Sequence, residues 1–340
     1  MLSVITFGRR RVFRVVAAVF TLLLIAVVVF SFSSPVLGTT VPAEGTPTVA
    51  ENGTPGASGE IAEQLPPPDL PTTSEEGFTF DLRATMKADA DNVPSEAPVY
   101  ELVREDISKS EAQDLTESLG ITGDVETRSD DSFTASGNGQ LFISPDVIQY
   151  QSGEAPTDGE LPTDKEAVSA AREWLRTSGL APADLGDGRV IDRIDQANLV
   201  VVIFPPVEPE MLLAAYPSIT VSVAPEGTIV EAAKRWADIE TADTYQLRSP
   251  DEAWEDIQTG QAYIEADLED ADLPAGADVT GTVTYNDISL GYTTAGPPDE
   301  TQYLEPVFVF KGRVRVEGQE GTFPIRAYVP ALANSGAPVG

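Results

Sequence analysis

Thr163-Asp164-Lys165-Glu166-Ala167-Val168-Ser169-Ala170-Ala171-Arg172-Glu173-Trp174-Leu175-Arg176-Thr177-Ser178-Gly179 spells a helix with both ends marked. Thr163 followed three residues on by Glu166 is a capping box: the hydroxyl takes an orphan N–H and the carboxylate reaches back to the cap. Gly179 supplies the residue that closes the last turn. Ala167, Ala170, Ala171, Trp174 and Leu175 recur at helical spacing, so one face must be buried. Strands are expected next, at Val190–Ile194 and then at Leu199–Phe204, a continuous apolar run suited to the middle of a sheet. Ile219, Val221 and Val223 alternate with Thr220 and Ser222, giving a strand with one dry face. Pro225-Glu226-Gly227 then turns the chain into Thr228–Trp236.

The same order occurs on either side. Upstream, a strand at Val99–Val103 precedes a helix in which Ser108 and Glu111 form the box, Ala112, Leu115 and Leu119 the stripe, and Gly120 the stop. Short strands are expected near 125–128, 132–135, 140–144 and 147–151. Downstream, Ser249-Pro250-Asp251-Glu252 combines an N-cap, proline at the first helical position and the third-position Glu. Ala253, Trp254 and Ile257 are its apolar stripe, Gly260 ends it, and strands follow near 279–290, 303–316 and 321–329. The expected fold is therefore α+β: tandem helix-plus-antiparallel-sheet units at 77–151, 163–247 and 248–332, with a short linker at 152–162 and a tail at 333–340.

In the second unit, Glu166-Ala167-Val168, Trp174-Leu175, Gly179-Leu180, the strand ending in Phe204, Ile219–Val223 and Pro225-Glu226-Gly227-Thr228-Ile229 follow an order that resembles the PepSY domain. That resemblance implies a small exported α+β module of the kind found in protease propeptides and membrane-bound regulators. The overall plan, with Tyr303-Leu304-Glu305-Pro306-Val307-Phe308-Val309-Phe310 and Phe323–Pro330, is similar to the YycH/YycI family. Its members have one N-terminal membrane helix and extracytoplasmic α+β domains that restrain a sensor kinase. The likeness spans about 99–332 and consists of pattern and order, without a diagnostic motif. Neither family brings catalytic residues to carry over.

At the N-terminus, Val15–Phe32 is an uncharged run, apolar except for Thr21 and Ser31, behind Arg9, Arg10, Arg11 and Arg14, and the next basic residue is Arg83. The run is long enough to span a bilayer, and the charge asymmetry keeps residues 1–14 in the cytoplasm and the rest outside. Three readings stand: an uncleaved anchor at 15–32, a signal cleaved after Gly38, and twin-arginine export through Arg10-Arg11. A lipoprotein is excluded, since lipidation after export needs cysteine. Residues 33–76, rich in proline and without an aromatic until Phe78, are expected to be a disordered tether.

The 340 residues contain 55 acidic and 21 basic side chains, a net charge of −34. Such a surface repels nucleic acid and suits cationic partners, weakly held divalent cations or a saline medium. The absence of cysteine and histidine removes disulfides, thiolate and imidazole metal sites, and Ser-His and Cys-His catalysis. No phosphate loop, nucleophile elbow or dinucleotide fingerprint is present. No enzyme activity, cofactor or dedicated metal site is expected.

Two sets of residues stand out as candidates for partner binding. Lys311, Arg313 and Arg315 alternate on one strand and so project from one sheet face, where Arg326 can join them. The competing reading is cross-strand pairing with acids such as Glu317 and Glu320. Met211, Leu212 and Leu213 lie in the connection Pro205–Pro217, either exposed at a tip as a contact surface or folded back as sheet cover. The acids Glu265, Asp267, Glu269, Asp270, Asp272 and Asp278 read as a solvated edge, because the glycine of a calcium loop is missing. Trp174, Trp236 and Trp254 read as packing. The expectation is a membrane-anchored extracytoplasmic regulatory protein that contacts another envelope or membrane protein. A structural cell-wall protein and, remotely, a carboxylate-based hydrolase are the alternatives.

Overall fold

The run Pro306-Val307-Phe308-Val309-Phe310 is buried at every position, as a strand covered on both faces requires. It forms the middle of β14 (Gln302–Val316), the spine of a seven-stranded sheet. In the computed structural model, residues 65–70 and 78–333 are described, apart from 91–92, 130, 157, 269–270, 272, 275 and 298–300. Apart from Ile194–Ala197, these described residues belong to one compact unit.

Beside β14 lie β13 (Asp278–Ala295) and β15 (Phe323–Pro330), both antiparallel to it. The sheet continues to β1 (Thr79–Met86), parallel to β13, and to β12 (Tyr263–Ala266), antiparallel to β15. β2 (Glu96–Val103) pairs with the start of β14 and with β11 (Asp238–Gln246). One face carries the even-numbered residues Phe308, Phe310, Val314 and Val316, which join Tyr285 and the helix residues Ala253 and Ile257 in a core.

The second sheet has eight strands in the order β3 (Glu126–Ser129), β4 (Ser132–Ser136), β5 (Gly139–Ser144), β6 (Val147–Ser152), β10 (Ile229–Arg235), β9 (Ser218–Val223), β8 (Leu199–Phe204) and β7 (Arg189–Ile194). Two meanders start at opposite edges, and their last strands, β6 and β10, pair antiparallel in the middle. Helices α1 (Lys109–Ser118) and α2 (Asp164–Thr177) share one face of it, and Ala112, Ala167, Ala171 and Leu175 enter a single core with Val200, Val202, Phe204 and Val221. The Ser118 hydroxyl donates to the Ser178 carbonyl at 2.9 Å, which ties the two helix ends together.

Each helix, including α3 (Pro250–Gln258), has its capping box closed in both directions: Ser108 with Glu111, Thr163 with Glu166, Ser249 with Glu252. These hydrogen bonds hold the three exposed carboxyls below their ordinary value. Gly179 follows α2 at φ +76°, a conformation that side chains resist. The tryptophans of the helices pack: Trp174 against Tyr150 at 5.1 Å, Trp254 against Tyr285 at 5.9 Å.

The expected α+β class of tandem helix-plus-sheet units is overturned. The protein is mostly β, with two large sheets and three short helices among the described residues. The first two meanders merge into one sheet. The strands after α3 are completed by β1 and β2, which lie far away in sequence, and by β11, which joins through β2. Helix caps are local and easily read, whereas strand pairing is not, so the sequence overstates the helices as organisers. The expected membrane helix at 15–32 lies outside the described residues. Among those described, no helix is long and apolar enough to cross a membrane. Of the tether 33–76, only 65–70 is described. Pro68 bridges to Ala295 and the Asp69 N–H donates to the Thr294 carbonyl at 2.7 Å, laying this segment along β13.

Candidate binding surface

The face of the seven-stranded sheet opposite α3 carries the odd-numbered residues of β14. In register across it run Asp287, Lys311, Arg326 and Glu265, from β13, β14, β15 and β12. The next row is Thr284, Arg313 and Pro324, and the one beyond is Arg83, Thr282 and Arg315. The sheet therefore gathers Lys311, Arg313, Arg315 and Arg326 on one face and adds Arg83 from β1.

Their pairing differs from residue to residue. Lys311 meets Asp287 at 3.6 Å, and Arg326 meets Glu265 at 3.7 Å, both partly solvent-exposed and worth little on their own. The Glu265 carboxylate also accepts from the Tyr328 hydroxyl. Arg313 donates to Thr322, at 2.7 Å to its hydroxyl and also to its carbonyl. Glu317 accepts from the Thr280 hydroxyl at 3.4 Å rather than pairing with Arg315. Arg83 and Arg315 are exposed, and neither has a hydrogen-bond or ion-pair partner among the described residues. Acids thus flank the patch at Asp287 and Glu265, while its centre, threonine and arginine, offers free guanidinium donors. Guanidinium groups in that state bind carboxylates in bidentate fashion.

Met211, Leu212 and Leu213 fold back onto the same sheet. Tyr292 donates its N–H to the Met211 carbonyl at 2.9 Å, and Leu213 returns one to the Tyr292 carbonyl at 2.8 Å, extending the β13 edge beyond the end of β1. A Cβ on Gly291 would stand 3.1 Å from the Leu213 side chain and from Val309, a tight fit, so the loop packs closely on the strand at this glycine. All three residues are half-buried, and Leu212 joins the small cluster of Leu102, Tyr292 and Leu304.

Glu305 lies further along this strand face. It is 2% exposed, its Oε1 has no partner among the described residues, and burial pushes its carboxyl up to about 7. A single acid inside the run Tyr303–Phe310 was the available sequence signal. Of the acidic stretch, Glu265 is engaged as above and Asp278 accepts from Thr79 at 2.8 Å. Glu269, Asp270 and Asp272 lie outside the described residues, among which no group of three acids is placed to hold a metal.

No known family model matches the chain, and no curated protein matches it. Among solved structures it is similar to an uncharacterised protein from Eubacterium rectale, with a TM-score of 0.41 and 11% identity over 78% of this chain and 91% of that one. It is also similar to the C-terminal domain of Bacillus megaterium YpeB, with a TM-score of 0.30 and 11% identity over 68% of this chain and 100% of that one. At these TM-scores neither likeness carries an argument about fold or function.

Proposed function

We propose that the chain is a membrane-anchored extracytoplasmic binding protein that regulates another envelope protein by direct contact. One observation carries this reading: in a chain of net charge −34, five cationic side chains converge on the exposed end of one sheet face, and two of them have no partner among the described residues. A cationic patch on a strongly acidic body selects an acidic partner and sets its orientation, since the rest of the surface repels it. Residues 15–32 hold the body at the bilayer, with the N-terminus cytoplasmic. The sequence resemblance to PepSY and YycH/YycI modules supports a regulatory role over a catalytic one.

Co-purification after cross-linking in intact cells tests the reading. A dominant membrane-protein partner that is lost in the double variant Arg313→Glu, Arg315→Glu supports it. A chain that sediments with wall material and shows no dominant protein partner would replace it with a structural role in the wall.

A further inference from the structure

Lys234 lines a cleft with its amine unpaired, and Trp236 lines a recess next to it. The cleft opens where the chain passes from β2 to α1. Its floor is apolar, made by Ile107, Leu115, Ile148 and Leu180, and its volume is about 430 Å³. A smaller recess of about 50 Å³ continues past Lys234 to Trp236. Lys234 leaves the helix-covered face of β10 opposite Ile148 and Ile219. It has no ion pair or hydrogen bond among the described residues. Burial pushes its amine down, against the opposing pull of Glu105, Asp238 and Asp184. The indole Nε1 of Trp236 is shielded from solvent and likewise has no partner among the described residues.

Carboxylates complete the walls. Asp146 is taken by Arg104 at 3.0 Å and Glu111 by its capping box, which leaves Glu105 and Asp106 facing the cleft and Asp238 at the recess. These acids oppose a simple anion, and a bare cation would leave the Lys234 amine unserved. A ligand that satisfies both sides carries an ammonium group and a carbonyl oxygen on neighbouring carbons. We infer that this cleft binds the α-amino end of a peptide or a free amino acid, its carbonyl or carboxylate oxygen on Lys234 and its ammonium on Glu105, with the Trp236 ring beside the bound group as a reporter. The apolar floor takes the side chain. This site is separate from the arginine face and does not depend on the regulatory reading.

The test is an NMR titration of the full chain in detergent with its tryptophan indoles labelled. The chain has three tryptophans, and Trp236→Phe assigns the signal of interest. The probes are L-alanine, L-alanyl-L-alanine and N-acetyl-alanyl-alanine at about 10 mM, which fills a site with Kd of about 1 mM. The Trp236 signal is expected to move saturably with alanyl-alanine and to stay still with the acetylated peptide. A matching shift with alanine identifies a free amino acid as sufficient, and none identifies a peptide end. Lys234→Met should weaken binding about tenfold or more, a difference of about 1.4 kcal/mol. If that variant loses its dispersed Trp174 and Trp254 signals, Glu105→Gln replaces it with the same expectation. An unmoved Trp236 signal, an equal response to the acetylated peptide, or undiminished binding in the folded variant overturns the inference.

Discussion

Replacing Glu305 by glutamine should stabilise the protein at pH 8 and do little at pH 5. The carboxylate is 2% exposed on a strand covered on both faces, and one of its oxygens has no partner among the described residues. Thr293, directly across on β13, turns its hydroxyl to the Asp69 carbonyl at 3.1 Å instead. Burial raises the carboxyl from its ordinary 4.5 to about 7. Between those two values the folded state therefore holds more protons than the unfolded one. The favourable contribution is complete below about pH 4.5 and is lost as pH rises through about 7. At about 1.4 kcal/mol per tenfold change in proton affinity, ionising this group in the folded state costs roughly 3 kcal/mol. Glutamine keeps the shape and removes the charge. Urea denaturation of both proteins at pH 5 and pH 8 isolates the effect, because the other carboxyls cancel in the difference of differences. The expected result is a variant more stable by roughly 3 kcal/mol at pH 8 and by under about 1 kcal/mol at pH 5. Equal differences at the two pH values, or a loss at pH 8, would show that the carboxylate is partnered and ionised in the folded state.

Tyr285 is fully buried and its hydroxyl has no partner among the described residues, so Tyr285→Phe should gain about 1 kcal/mol in thermal denaturation, and a loss of that size would reveal a hidden acceptor. Phe310, also fully buried, touches Trp254, Tyr285 and Phe308, and Phe310→Ala should cost about 3–5 kcal/mol by the same assay. Arg248 pairs with Asp256 at 2.7 Å and donates to the carbonyls of Glu252 at 3.0 Å and Pro330 at 3.4 Å, tying α3 to β15. Arg248→Ala should cost about 1–3 kcal/mol and speed hydrogen exchange in α3 before the sheet.

Where signals are local, the sequence was read well. All three capping boxes close with the residues named from spacing alone, and the strands through Leu199–Phe204 and Tyr303–Val316 lie where the apolar pattern puts them. The architecture was not legible, because it rests on distant pairings. Phe80, Leu82, Ala84 and Met86 alternate plainly, yet nothing in that alternation says that β1 runs parallel to a strand 199 residues away. In β11, polar residues such as Thr241 and Asp243 fill an exposed edge beside β2, leaving no apolar period to detect. The pairing of β6 with β10, which fuses two meanders, has no local mark either. The basic stripe on β14 followed from a period of two, but Arg83 needed the β1 pairing. The cleft at Lys234 needed three separate segments, and no spacing along the chain brings them together.

Site-specific photo-cross-linking tests whether the arginine face meets a partner. A photoreactive phenylalanine analogue at Thr282, between Arg83 and Arg315, is compared in intact cells with the same group at Glu255, exposed on α3 behind the sheet. The expected result is one discrete protein adduct from position 282 that disappears when Arg315 is changed to Glu, with none from position 255. Equal adducts from both positions, or none from 282 while 255 reacts, would contradict the claim that this face meets the partner.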